Sequence, residues 1–107
     1  MFKYRRLTRQ ILGSATTTLV QVLEANDLRL WAAIECDLTT GVAMNVVFSH
    51  EYTSSANYVQ FRLQPGERIV LSNSTGGDMP WFGSVYVSGV GATAGYRGGE
   101  VYLERTG

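Results

Sequence analysis

The segment YVQFRLQPGERIVL, residues 58–71, alternates apolar and polar side chains on both sides of a Pro-Gly pair. A period of two is typical of strands that bury one face. Pro65 presets the backbone for a turn, and Gly66 tolerates a positive φ. The segment therefore predicts a hairpin, with the second strand returning beside the first. Its inward positions are Val59, Phe61, Leu63, Ile69 and Leu71.

The same alternation recurs along the chain. Residues 15–23 are rich in β-branched side chains, residues 29–36 and 42–48 alternate, and shorter alternating segments surround Val85 and Val101. Turn signals separate these segments, and no stretch has a helical period. The sequence predicts an all-β fold, a small antiparallel β-sandwich or jelly-roll-like barrel of about seven to eight strands with an extended N-terminal arm.

Two strands carry specific predictions of side-chain direction. In the strand at 29–36, the expected inward residues are Leu30, Ala32, Ile34 and Cys36, and the expected outward residues are Arg29, Trp31, Ala33 and Glu35. In the last strand, the expected inward residues are Val101 and Leu103, and the expected outward residues are Glu100, Tyr102 and Glu104.

Composition limits the class of protein. The chain has 107 residues, enough for one domain with its own core, and its formal net charge is zero. Bulk attraction to nucleic acid is therefore a poor explanation of its partners. One cysteine cannot form a disulfide within the chain, and we expect no signal peptide and no membrane helix.

The N-terminal residues differ in charge density from the rest. Residues 1–14 are expected to form a basic arm, and residues 15–107 a single β-sandwich domain. Arginines interleaved with aromatic residues suit nucleic acid as well as protein. Because no other strand carries a basic stripe, we expect the arm to contact a neighbouring protein and not nucleic acid.

Candidate catalytic and cofactor patterns fail on context. GVGATA at 89–94 matches a dinucleotide fingerprint, but the glycines that follow oppose the helix which that motif requires. Cys36 and His50 are the residue types of a nucleophile and base, yet Cys36 is expected in the core and His50 in a polar loop. We expect no enzyme, no cofactor and no metal site.

Aromatic and basic residues outside the predicted core are the candidates for a contact surface. Such a surface suits either protein or sugar. The alternative role for some of these aromatics is to cover strand edges or the ends of the barrel. The candidates are Lys3, Tyr4, Arg5, Arg6, Arg9, Trp31, Tyr58, Arg62, Trp81, Tyr86, Tyr96, Arg97 and Tyr102.

Four segments together resemble the small β-sandwich virion proteins of tailed bacteriophages, especially capsid decoration or cement proteins. They are VLEANDLRLWAAIECDLTTGVAMNVVF, YVQFRLQPGERIVL, GSVYVSG and GEVYLER, which lie within residues 19–105. The resemblance is a pattern of strands and turns, and the arm at 1–14 is outside it.

The resemblance implies a non-enzymatic structural protein of the virion, made in the host cytoplasm. Its partner would be the major capsid protein or another virion protein, and it would form a homo-oligomer without contacting a membrane. Repeated weak contacts would stabilise the shell by avidity. A tail or neck component and a carbohydrate- or receptor-binding β-module are the alternatives.

Overall fold

The computed structural model describes residues 3–49, 59–72 and 83–106, and within these ranges it contains eight β-strands and no helix. The strands are β1 (Tyr4–Ala15), β2 (Val20–Leu23), β3 (Arg29–Cys36), β4 (Met44–Ser49), β5 (Val59–Leu63), β6 (Arg68–Ser72), β7 (Ser84–Gly89) and β8 (Ala94–Arg105). The predicted all-β fold class is confirmed.

The strands form two four-stranded antiparallel sheets. The first sheet has the order β1-β8-β3-β6 and the second has the order β2-β7-β4-β5. Except for β4 and β5, which pair within the second sheet, successive strands lie in different sheets, and this is the strand order of an eight-stranded jelly roll. Apart from β4 and β5, the strands that pair with each other are distant in sequence.

The core lies between the sheets. Its members at positions predicted to face inward are Ala32, Ile34, Cys36, Met44, Val46, Phe48, Leu63, Leu71, Val85 and Val87, all at most 7% exposed. Alternation therefore identified the inner faces of β4, β6 and β7, and that of β3 from Ala32 onward. The exposure of Phe61 is higher, at 40%, because β5 is an edge strand. Its ring packs edge-on against Phe48, with centroids 5.5 Å apart.

The Pro-Gly segment turns as predicted but does not form a hairpin. The Glu67 amide donates to the Gln64 carbonyl at 2.9 Å, and Gly66 has a φ of 88°. With Pro65 before it, this is a type II turn. Type II geometry splays the flanking strands apart, so β5 pairs with β4 while β6 crosses to pair with β3 in the other sheet.

The prediction for Arg29 was wrong because of a β-bulge. Arg29 lies opposite Tyr102 and Trp31 lies opposite Val101, so Leu30 is an extra residue in β3. The bulge turns the Arg29 side chain inward, where it is 2% exposed. The alternation of apolar and polar residues in a sequence does not reveal a β-bulge.

The predicted directions in β8 are reversed. Glu100 lies opposite the buried Ala32 and is 3% exposed, so it and Tyr102 face the interior. Val101 and Leu103 lie on the outer face of the first sheet and are only partly buried. Placing the two apolar residues outside adds apolar surface to the outer face of the first sheet.

A buried ion cluster explains this reversal. The Arg29 guanidinium donates from Nε to Glu100 Oε2 at 2.6 Å, and from its other nitrogens to the carbonyls of Gly83 and Glu24 at 3.2 and 2.6 Å. Arg9 Nη2 lies 3.2 Å from the second oxygen of Glu100. Arg29 and Glu100 therefore each have an oppositely charged partner and further polar contacts. This is the condition under which a buried ion pair is tolerated inside a protein.

The segment expected as an arm is paired over most of its length. Residues 4–15 form β1, and every one of them pairs with β8, from Tyr4 opposite Arg105 to Ala15 opposite Ala94. Ile11 and Ala15 reach the core. The arm therefore forms an edge strand of the first sheet, with its basic residues along its outer half.

Replacing Glu100 with Gln should destabilise the protein by about 3 kcal/mol or more, because Arg29 would be left buried without a counter-charge. Glu104→Gln is the matched control, since Glu104 also pairs with an arginine of β1 but is exposed. That control should cost at most about 1 kcal/mol. Equal urea midpoints for the two variants would contradict the assignment.

Phe48→Ala should cost about 3 to 5 kcal/mol, the usual loss for a buried phenylalanine. Phe61→Ala should cost clearly less, because Phe61 already exposes 40% of its surface. Chemical denaturation of both variants checks this order. A larger loss at Phe61 would show that β5 is buried more deeply than the structure indicates.

Candidate functional site

The free edge of β1 is the longest strand edge that has no partner strand among the described residues. This strand has 12 residues, whereas the other three edge strands have four or five. Among the described residues, β1 pairs only with β8. Natural proteins usually keep edge strands short, because a long unpaired edge is a template for another strand.

The direction of the backbone groups of β1 follows from one hydrogen bond. The Thr106 amide donates to the Lys3 carbonyl at 2.8 Å. Lys3 and every second residue after it therefore direct their amide and carbonyl groups toward β8. Antiparallel ladders alternate in this way. The even-numbered residues from Tyr4 to Ser14 therefore direct their amide and carbonyl groups toward the free edge.

The first three residues of β1, Tyr4 to Arg6, form a two-stranded ribbon with the end of β8. Pairing between β3 and β8 begins at Arg29 and Tyr102, so the pairs beyond it have no third strand among the described residues. Arg5 donates from Nε and Nη2 to Glu104 Oε2, at 3.1 and 3.0 Å. This exposed pair fixes the ribbon's register but adds little stability.

Apolar side chains lie on the outer face of the first sheet, where the free edge of β1 forms its border. Leu12 is 71% exposed and Tyr4 48%, and Trp31 is 38% exposed at the centre of the sheet. Val101 lies directly opposite Trp31 and extends this surface. Exposed apolar residues bordering a free strand edge are typical of a binding surface.

Next to Trp31 the outer face contains a groove of about 300 Å³. Its lining includes Trp31, Gln10, Arg68 and Arg97, with Ala33 and two glycines at its base. Arg97 is bound to Glu35 by a short hydrogen bond that raises the pKa of the guanidinium further above its usual value. The groove was not predicted from sequence, because its shape depends on residues that lack side chains.

The predicted contact residues divide between several locations. Lys3, Tyr4, Arg5 and Arg6 lie on or beside the ribbon, and Trp31 and Arg97 lie on the outer face of the first sheet. Arg62 and Tyr86 lie on the outer face of the second sheet, where Arg62 donates to Asn45 at 3.3 Å. Tyr58 and Trp81, together with Phe82 and His50, lie outside the described residues.

Three of the predicted contact residues also have internal roles. Arg9 binds the buried Glu100. Tyr96 packs against the core and lies over Gly13, where an added Cβ would approach the Tyr96 hydroxyl to 2.6 Å. Tyr102 faces the interior and lines a small cavity of about 180 Å³ with Arg9 and Glu100. Arg9, Tyr96 and Tyr102 therefore contribute side-chain contacts between β1 and β8.

Cys36, the catalytic candidate that lies within the described residues, is separate from this surface. Cys36 is fully buried, its thiol donates to the Val42 carbonyl at 3.1 Å, and burial raises the pKa of the thiol. Within the described ranges, no group of three or more His, Cys, Asp or Glu residues is placed to hold a metal ion. Nor does this part of the chain contain a helix that is long and apolar enough to cross a membrane.

Comparison with known proteins gives one informative likeness. No protein-family model and no curated protein matches the chain. It is similar to a solved structure of Bacillus endospore appendages, which form a novel family of disulfide-linked pili, with a TM-score of 0.57 and 18% sequence identity. The likeness covers 95% of this chain and 89% of that chain. At this identity it shows a common fold.

Proposed function

We propose that this chain is a non-enzymatic structural protein that joins a larger particle by pairing the free edge of β1 with a strand of a neighbouring subunit. The observation that carries the proposal is the length of β1, 12 residues paired on one side only among the described residues. Addition of a strand to a sheet edge supplies many main-chain hydrogen bonds at once. Repetition over many subunits then gives avidity.

The charges on β1 do little to block such pairing. Charged side chains usually protect an edge from a second strand. Here Arg5 and Arg9 are already bound by carboxylates of β8, and their side chains lie on the inward-facing side of the strand. Arg6 is exposed, and it is the β1 arginine whose side chain lies on the outer face. A neighbour that approaches the edge therefore meets mostly neutral side chains.

The particle proposed from the sequence resemblance is a phage virion, with this chain as a capsid decoration or cement protein assembled in the host cytoplasm. A tail or neck position would use the same edge. The jelly-roll fold supports this only in part, because it serves many assemblies.

A subunit of a pilus-like polymer is the second candidate. The similarity in fold to the endospore appendage structure favours it, and so does the edge of β1, since a head-to-tail contact that does not close generates a filament. A disulfide link through Cys36 is not part of the proposal, because that thiol is buried in the core. Such a polymer would be held by strand pairing.

Thr8→Pro tests the strand-pairing proposal. The Thr8 amide is directed toward the free edge, so proline removes no bond to β8 and is tolerated there as on other edge strands. We expect the variant to keep the wild-type melting temperature and to lose assembly. Thr8→Ala is the control, because it keeps the amide, and it should assemble like the wild type.

Light scattering of the protein alone, and sedimentation with empty capsids, measure assembly in both cases. Polymerisation of the protein by itself would support the pilus-like candidate, and stoichiometric binding to capsids would support decoration. Unchanged assembly by the folded Thr8→Pro variant would overturn the role of the β1 edge.

Reductant should leave assembly unchanged, because Cys36 is buried and its pKa is raised, and the thiolate is the form that exchanges disulfides. Iodoacetamide should label the native protein far more slowly than the protein in urea. Mass spectrometry of timed samples checks this. Rapid labelling of the folded protein, or dispersal of assemblies by reductant, would contradict the burial of this thiol.

A further inference from the structure

Gly99 sits in the middle of β8, yet its immediate surroundings do not require glycine. An added Cβ would lie 3.4 Å from the Arg9 carbonyl oxygen as its nearest neighbour, and its φ is not positive. At Gly98, by contrast, a Cβ would come within 1.9 Å of the Ala33 carbonyl oxygen. Glycine within a strand is destabilising relative to alanine. Such a glycine often marks a bulge, a bend, or the close approach of a ligand or another backbone, and the pairing register through Gly99 is continuous, without a bulge.

Pairing across the sheet shows what the missing side chain leaves open. Gly99 lies opposite Gln10 on one side and Ala33 on the other, so the centre of this row has almost no side-chain bulk. The row on one side contains Trp31 and Val101, and the row on the other contains Arg97, Glu35 and Arg68. Gly99 and Ala33 form the floor of the groove between these rows.

The two walls of the groove are chemically different. Trp31 and Glu35 are four residues apart along β3, so about 13 Å separates their backbone positions. Trp31 offers a partly exposed aromatic side chain. Arg97 and Glu35 hold one another in place, and together they present fixed donors and an acceptor. Arg68 pairs with Glu35 through the backbone ladder, while its exposed side chain has no hydrogen bond or ion pair with any described residue.

We propose that this groove binds an acidic sugar, with the apolar face of the ring on Trp31 and the sugar carboxylate on Arg68. Sugar hydroxyls both donate and accept hydrogen bonds, which suits the adjoining Arg97 and Glu35. Arginine pairs with a carboxylate through two parallel hydrogen bonds. The groove's volume of about 300 Å³ is at the small end of ligand sites, and a flat floor admits a ring.

This binding goes beyond the assembly function and uses different atoms, namely side chains of the outer sheet face in place of the backbone edge of β1. It is therefore measured on dispersed protein, for which the Thr8→Pro variant is suitable. Loss of assembly in that variant leaves the groove intact. A failure of one proposal is thus distinguishable from a failure of the other.

The test is a titration of the 15N-labelled protein with digalacturonic acid, its dimethyl ester and acetate. We expect saturable shifts of the Trp31 indole and Gly99 amide signals with the acid. The neutral ester should bind at least tenfold more weakly, and acetate should give no saturable shift. Equal binding of acid and ester would overturn the role of charge, equal binding of acetate would overturn the sugar, and no shift with any probe would overturn the site.

Gly99→Val supplies the specific variant, because it fills the floor of the groove without removing a charged group. It should fold normally and bind at least tenfold more weakly, as should Arg68→Ala. Arg62→Ala is the control, since it removes an exposed arginine from the other sheet. Wild-type affinity in Gly99→Val, or an equal loss in Arg62→Ala, would place binding elsewhere and overturn the proposal.

Discussion

The buried pair of Glu100 and Arg29 constrains the arrangement of the first sheet. A glutamate that is 3% exposed needs an opposite charge, and the bulge at Leu30 brings Arg29 inward to provide it. Once Glu100 faces the interior, the period of two in β8 places Val101 and Leu103 outside. The same carboxylate holds Arg9 and so fastens the middle of β1. One charged interaction thus determines the faces of two long strands.

That arrangement has a direct bearing on assembly. A 12-residue edge strand attached only by main-chain pairing on one side would fray. Here Ile11 and Ala15 pack in the core, Arg9 is fixed at mid-strand, and Arg5 binds Glu104 near the end. The free edge of β1 is therefore held in an extended form. A preformed edge loses less entropy when it pairs with a neighbour.

Sequence alternation predicted the class of fold and most of the core, because each residue of β4, β6 and β7 faces one way regardless of its partner. Phe48 and Leu71 are examples. It failed where a residue's direction depends on another part of the chain. Glu100 and Arg29 are each polar and were assigned to the surface, and only their meeting inside the sandwich makes burial favourable.

The sequence predicted the residue types of the candidate contact surface better than it predicted where those residues lie in the fold. The basic and aromatic character of residues 3–9 pointed to a contact segment, and the structure adds that most of it is an edge strand. The Pro65-Gly66 turn was recognised, but the pairing of its flanking strands depends on turn geometry and on the partners of β3 and β4. Gly99 and Arg68 were not predicted as site residues, because the groove is formed by residues that are neighbours across strands and distant in sequence.

Hydrogen exchange of β1 in the dispersed and assembled protein tests the central claim, that the free edge of β1 is the joining surface. In the dispersed protein the amides of Arg6, Thr8, Gln10 and Leu12 should exchange quickly, while those of their odd-numbered neighbours are protected by β8. In the assembled particle both sets should be protected. If the even-numbered amides of β1 exchange at the same rate after assembly, another surface joins the subunits and the account is wrong.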